Sequence, residues 1–355
     1  RNRYHVPVEL YTTKKSGMEH KVDKVHHLKS YYHFIKAVNY FLVSGGHQND
    51  VFIKSRTKDF EKYKKQLLAE DFDENFEKAG MDCMEELAQF ARSYNEELNA
   101  ILIFPEKELS ANASLELHNL AMLTGKMGKT AQGIIAIKEK NNSQGIIDMG
   151  GCHKTAPGFQ LIEDPAVILQ LQKKWGIKQL PDKINSPYKL LKEHKLKNLF
   201  IFGEDPAGCA INPTEIEDWL TTPEFIMVQD YFITKTALKA DLVMPSSLPW
   251  EIGGSFTTTQ RRLQKFDKKT ESLPGLTSPE QLTTLLKYFG LNNINDQEDA
   301  LNEFFSLLPP PSDPDKIIYC FNNTLHDNYN LLFNHGCDIV NKRFDDEFEQ
   351  AFKKQ

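Results

Sequence analysis

Short apolar runs alternate with stretches of helical period along most of this chain. The clearest pattern lies between residues 199 and 266. Leu199-Phe200-Ile201-Phe202 stops at Gly203-Glu204-Asp205-Pro206. Phe225-Ile226-Met227-Val228 stops at Gln229-Asp230, and Leu242-Val243-Met244 stops at Pro245-Ser246-Ser247. Apolar runs of three or four residues, cut off by turn residues and separated by helical stretches, predict buried parallel strands in an α/β fold. In such sheets the ligand crevice lies outside the carboxyl ends of the strands. The three turn segments are therefore expected on one rim.

Elsewhere the pattern predicts a strand over 6–12 and a helix over 30–43. That helix carries Tyr31, Phe34, Ile35, Val38, Phe41 and Leu42 on one face and is stopped by Gly45-Gly46. Further helices are expected over 58–68, 82–94 and 114–123, with a strand over 99–104. Residues 133–158, rich in Gly and Asn, read as a long irregular loop, which in a globular chain is functional or a domain connection. Helices over 279–288 and 297–307 follow. Pro309-Pro310-Pro311 then breaks the pattern before a strand over 317–321 and a charged amphipathic helix over 338–352.

The chain has 355 residues, enough for about two domains at roughly 150 residues each. Its 43 basic residues are dispersed and outnumbered by 49 acidic ones. A net charge of −6 gives no general attraction to nucleic acid or to anionic membranes. No apolar run approaches the roughly 20 residues that span a bilayer, so direct membrane insertion is not expected. Cysteines stand at 83, 152, 209, 320 and 337 with no Cys-x-x-Cys pair. Scattered thiols predict a reducing, cytoplasmic setting, with no iron–sulfur cluster and no structural zinc site in this chain. The chain opens on Arg1-Asn2-Arg3-Tyr4 without an initiator Met, which reads as a piece of a longer protein.

Six blocks between residues 115 and 266 carry a family resemblance. Asn119-Leu120-Ala121-Met122-Leu123-Thr124-Gly125 with Gly128-Lys129 is similar to a family helix end, NLALLTGNIGK. Asn141-Asn142-Ser143-Gln144-Gly145 with Asp148-Met149-Gly150 and Pro157-Gly158 is similar to a second block, NNVQGxxDMG…PG. The 199–266 segment then supplies GEDP, VQDxFxTxTA, ADxVxP and GxFTxxxRRxQ in family order. The chain resembles the molybdopterin oxidoreductases, specifically the central part of a formate dehydrogenase α-subunit, and the related G subunit of NADH:quinone oxidoreductase. Residues 20–110 match more weakly, and 275–355 show no convincing match.

The resemblance implies two Rossmann-like domains with mainly parallel sheets flanked by helices. They would span 1–140, on the substrate-loop side, and 141–274, carrying a dinucleotide-cradle rim, followed by a helical C-terminal extension over 275–355. In this family a molybdopterin guanine dinucleotide lies between two α/β domains. A guanine edge offers adjacent N–H donors that one carboxylate accepts together. Asp205 and Asp230 are the acids assigned to base or ribose, and Glu204 and Gln229 join them on the rim. Amides around Gly203, Thr234 and Thr236 suit pyrophosphate oxygens, and Lys235 adds charge. Asn141 and Asn142 belong to the second family block. Asp241, ahead of its strand, and Glu251, before the glycines, read as structural. Arg261-Arg262 fit a phosphate, a neighbouring domain or a surface salt bridge equally well.

The chain also departs from the family pattern. Formate dehydrogenases place an arginine just before the aligned asparagines, where it orients formate or stabilises charge. Here Lys138 stands at that position, with Glu139 and Lys140 in place of Gly-Gln. Lysine cannot form arginine's planar fork, so unmodified formate chemistry is not expected. The family's iron–sulfur segment and metal-ligating segment are not recognised. Cys152-His153 aligns with ordinary residues, so no metal ligand is assigned.

Two functions follow from these expectations. One is the central region of a molybdenum or tungsten, formate dehydrogenase-like oxidoreductase, incomplete or inactive as the isolated chain and serving iron–sulfur or NADH-linked redox subunits in electron transport. The other is a degenerate, non-catalytic structural module of an NADH-linked redox complex, with the cofactor lost.

Overall fold

A computed structural model describes residues 6–322, apart from 107, 130, 139, 181–184, 211, 260–262, 274, 292–293 and 309–316. Glu139, Arg261, Arg262, the Pro309–Pro311 break, Cys337 and the helix expected over 338–352 lie outside the described residues. The described residues are mixed α/β, with helices around small, mainly parallel sheets. They divide into two units, residues 6–141 with 317–322, and residues 142–308.

In the first unit, β1 (Glu9–Thr12) pairs in parallel with β2 (Lys24–His27). The helices are α1 (Tyr31–Ser44), α2 (Asp50–Arg56), α3 (Phe60–Leu68), α4 (Phe72–Ala79), α5 (Met84–Glu96) and α6 (Ala111–Leu123). β3 (Thr57–Lys58) follows α2, while β4 (Ile101–Pro105) pairs in parallel with β5 (Gly133–Ile137). The chain returns at Tyr319–Cys320, which pairs in parallel with β3.

Helix α1 forms because Ser30 caps its first turn, accepting from the His33 amide, and because Phe34, Ile35, Val38 and Leu42 recur at helical spacing and are buried. Helix α6 is buried around its whole circumference from Leu117 to Leu123. It ends where Gly125 turns left-handed, at φ +68°, and a Cβ there would stand 2.8 Å from the Asn49 side chain. Only glycine suits both demands.

Of the polar groups that α6 buries, Glu116 and Asn119 join one cluster. Glu116 Oε2 accepts from Asn39 Nδ2 at 2.9 Å, from Tyr63 Oη at 2.8 Å and from Asn119 Nδ2 at 3.4 Å. One carboxylate thus ties α1, α3 and α6 together. Burial, reinforced by this carboxylate, pushes the Tyr63 pKa well up.

The second unit contains α7 (Ser143–Asp148), the antiparallel pair β6 (Thr155–Ala156) and β7 (Gln160–Leu161), α8 (Pro165–Trp175) and α9 (Pro187–Lys192). Its sheet joins β8 (Asn198–Phe202), β9 (Phe225–Asp230) and β10 (Leu242–Pro245), all parallel, with β9 in the centre. Between β8 and β9 lie α10 (Pro206–Cys209) and α11 (Pro213–Trp219). After β10 come α12 (Pro249–Ile252), the hairpin of β11 (Gly254–Thr257) and β12 (Leu263–Phe266), α13 (Ser278–Tyr288) and α14 (Gln297–Leu307). Ile201, Ile226, Val228, Ile216 and Trp219 form the core beneath the sheet.

The region expected as an irregular loop, 133–158, holds β5 and α7 instead. β5 is a short strand that opens on glycine, and its apolar side chains find their partners on β4. Helices α2 and α4 were also unforeseen, being only seven and eight residues long and strongly charged. Among the described residues no helix is long and apolar enough to cross a membrane.

His118 is 2% exposed on α6, and burial lowers its pKa from 6.5 to about 4. The folded chain therefore holds it neutral while the unfolded chain takes up a proton near pH 6.5. Its penalty is absent above that pH and grows by about 1.4 kcal/mol per pH unit as pH falls towards 4. Urea unfolding should show the first unit losing roughly 2 kcal/mol more between pH 7 and 5 in the wild type than in His118→Gln. Equal losses would remove His118 as the cause.

Candidate functional site

The carboxyl ends of β8, β9 and β10 meet as the apolar runs predict. Phe202 is in register with Gln229, and Pro245 with Asp230, so the three following turns share one edge of the sheet. Gly203 makes the first turn at φ +64°, a left-handed conformation that glycine adopts without strain. Its amide donates to Gln229 O at 2.8 Å, extending the ladder by one rung.

The next acid, Asp205, caps α10. Its Oδ1 accepts from the Gly208 amide at 3.1 Å, the Thr236 amide at 3.0 Å and the Thr236 hydroxyl at 2.6 Å. Thr236 is completely buried and its Oγ1 accepts in turn from the Ala207 amide at 3.0 Å. Asp205 and Thr236 together clamp the turn after β8 to the turn after β9. Burial opposes ionisation of Asp205. The Thr236 hydroxyl and amide, the Gly208 amide and the Lys235 charge outweigh it and hold the pKa below the usual carboxylate value.

Asp230 stands differently. Its Oδ1 accepts only the Phe232 amide at 3.1 Å, an Asx turn, and Oδ2 is left without a partner among the described residues. The residues that follow it are open: Tyr231 is 45% and Phe232 73% exposed. The Thr234 hydroxyl accepts from the Ala237 amide at 3.1 Å, which leaves its own proton to donate. Lys235 and Glu204 are exposed beside it. The amides of Gly203, Thr234 and Thr236 are all engaged within the protein, with Gln229 O, Phe232 O and Asp205 as acceptors.

Gln229 is buried, and its Nε2 donates to Gln281 Oε1 at 2.8 Å. Gln281, on α13, also donates to Pro245 O at 2.9 Å. Ser246 and Ser247 seat the start of that helix: the Ser247 amide donates to Ser278 Oγ at 2.7 Å, and the Ser278 amide to Ser247 Oγ at 3.1 Å. Gln281, Ser278 and the Thr236 hydroxyl were not foreseen. The one available signal is the capping box, Thr277 with Glu280, that announces α13. Asp241 pins the start of β9 through the Ile226 amide at 2.7 Å, and Glu251 caps the turn at Leu248 at 2.8 Å.

The remaining sequence-predicted residues stand on other elements. Asn142 starts α7 and holds β11 with both ends of its amide, accepting from the Thr257 amide at 3.0 Å and donating to Ser255 O at 3.3 Å. Asn141 is exposed and belongs to the first unit. So does Lys138, just past β5, whose Nζ lies 2.8 Å from Glu106 Oε1. Cys83, Cys152, Cys209 and Cys320 form no disulfide among the described residues, and no three His, Cys, Asp or Glu among them are placed to hold a metal ion.

Comparison with known proteins adds the context that this geometry lacks. The family described as molybdopterin oxidoreductase matches residues 104–275. Formate dehydrogenase H of Escherichia coli (strain K12) is 31% identical over 248 residues, 67% of this chain and 34% of that protein. The F420-dependent formate dehydrogenase subunit alpha of Methanocaldococcus jannaschii is 31% identical over 271 residues, 73% of this chain and 39% of that one. This chain therefore spans little more than a third of the length of these relatives. Among solved structures, acetylene hydratase from Pelobacter acetylenicus matches with a TM-score of 0.66 at 12% identity, covering 94% of this chain and 54% of that chain. At that identity the likeness is one of fold.

The clamp yields a stability prediction. Asp205→Ala leaves the buried Thr236 hydroxyl and amide without their acceptor, at a cost of about 2 kcal/mol in urea unfolding of the second unit. Asp230→Asn should stay within about 0.5 kcal/mol of wild type. Equal losses at the two positions would contradict this division between a structural and an open acid.

Proposed function

We propose, because this chain belongs to the molybdopterin oxidoreductase family as a formate dehydrogenase-like member, that it forms the cofactor-cradling central region of such an oxidoreductase. The family domain implies a molybdopterin cofactor. Our reading takes it in the guanine dinucleotide form, held in part by the rim of the second unit. When bound, the cofactor supplies two-electron oxidation of formate or another small substrate at molybdenum or tungsten.

The observation that carries this reading is the free face of Asp230. A carboxylate at the end of the central parallel strand, with one oxygen unpartnered, accepts the paired N–H donors of a guanine or the hydroxyls of a ribose. The donor set beside it agrees: the Thr234 hydroxyl and Lys235 face phosphate oxygens, and exposed Tyr231 and Phe232 offer rings for a base to stack on. Asp205 serves by holding the turns in place rather than by touching the nucleotide. Gly203, Glu204 and Gln229 complete the rim, and Asn141 and Asn142 lead into the second unit.

In this reading both units are Rossmann-like halves, with 1–140, 141–274 and 275–355 as the family-level divisions. The partner subunits carry iron–sulfur clusters or the NADH-linked site, in keeping with the subunit status of the F420-dependent relative. In this reading the assembly is cytoplasmic, which the scattered thiols support. The second reading, a non-catalytic scaffold in an NADH-linked complex, draws on one observation: the cation at the family's arginine position is paired with Glu106.

Elemental analysis for molybdenum and tungsten, together with GMP released by acid, tests the first reading on protein purified from molybdate-supplied cells. Metal and GMP should co-purify with the wild type and fall about tenfold in Asp230→Asn, the loss expected for one charge-assisted contact. Their absence from the wild type would sink this reading and leave the scaffold.

A further inference from the structure

The carboxyl edge of the first unit's parallel pair carries a feature that the family pattern does not explain. β4 and β5 end in register at Pro105 and Ile137, and the pairing runs one step further, the Glu106 amide donating to Ile137 O at 3.0 Å. That extra rung sets Glu106 and Lys138 side by side at the strand ends, the edge where ligands of α/β sheets bind. Lys138 Nζ lies 2.8 Å from Glu106 Oε1. The two side chains are unequally placed: Lys138 is 15% exposed and Glu106 55%. The lysine side chain is the more sheltered of the two and the glutamate the more open.

A pair this exposed adds only about 0–1 kcal/mol to the fold. Its stronger consequence is occupancy. A carboxylate carried on the neighbouring strand end is present at an effective concentration of about millimolar or above, and a free anion must outcompete it. An approaching anion is also repelled by the negative charge of Glu106, the more exposed of the two. With Glu106 in place the pair itself carries no net charge.

We propose that Glu106 is a resident carboxylate that fills the Lys138 anion position, making the pair a specificity element that turns away small free carboxylates and admits substrates with no negative charge. This inference rests on reading Lys138 as the counterpart of the family's substrate arginine. The substrate class it assigns is a small neutral molecule rather than formate. Replacing Glu106 with an uncharged residue would unmask a cation able to hold a monocarboxylate.

The test needs no bound cofactor. Lys138 is acetylated with an N-hydroxysuccinimide ester in sodium formate or in sodium chloride of equal ionic strength, and its modification is followed by peptide mass spectrometry. Wild type, Glu106→Gln and Glu106→Ala are compared after matching their melting curves. In wild type the rate should be the same in both salts. In both variants it should rise several-fold in chloride and be reduced saturably by millimolar formate. Saturable protection by formate in the wild type as well would overturn the resident-carboxylate role while leaving Lys138 an anion position. A rise in the variants with no protection by formate in any protein would overturn the reading of Lys138 and this inference with it. An unchanged rate in both variants would show that Glu106 does not cover Lys138, and would overturn the inference alone.

Discussion

One carboxylate oxygen organises the rim of the second unit. Asp205 Oδ1 accepts three hydrogen bonds, two of them from a completely buried threonine, and so fixes the turn after β8 to the turn after β9. Parallel strands end independently unless something joins their exits, because the ladder stops where the turns begin. Here the join is polar and inside the protein, where an unmet donor is costly. The exposed groups on the turns after β8 and β9 take their positions from that join.

The clamp also separates two acids that sequence alone made equivalent. Asp205 faces inward and is engaged, whereas Asp230 faces outward with one oxygen open. A binding surface needs this asymmetry: one group rigidifies the backbone, and another remains available to a ligand. Gln281 and the serines around α13 perform the same rigidifying task at β10. The first unit has its own strand-end acid, Glu106, but there the acid closes over a cation instead of remaining open.

Much of this was legible in the sequence. The three strands of the second unit were plain because uninterrupted apolar runs ended on acidic or glycine turns, and the common rim followed from parallel topology. Helix α6 was legible through its leucines and its terminal glycine. What escaped had physical reasons. β5 hides in a glycine-rich stretch because its partner strand, thirty-two residues earlier, supplies the burial that its own sequence does not advertise. α4 had a readable start and stop in Asp71 and Gly80 but too few apolar positions to raise it above its charged surroundings. The engagement of Asp205 was foreshadowed by Asp-Pro, an N-cap followed by a first-turn proline, yet Thr236 lies thirty-one residues on and nothing in the sequence pairs them. Gln281 and Glu106 are likewise partners set by the fold, and hydrogen bonds between distant segments leave no period to read.

The central claim is that the Asp205 clamp builds a guanine-nucleotide cradle around Asp230. Calorimetric titration of the chain with GDP and with ADP tests it most directly, in wild type, Asp205→Ala and Asp230→Asn. GDP should bind the wild type in preference to ADP, and both substitutions should abolish that preference while the second unit remains folded. Equal affinity for the two nucleotides in the wild type, or full GDP binding by folded Asp205→Ala, would contradict the account.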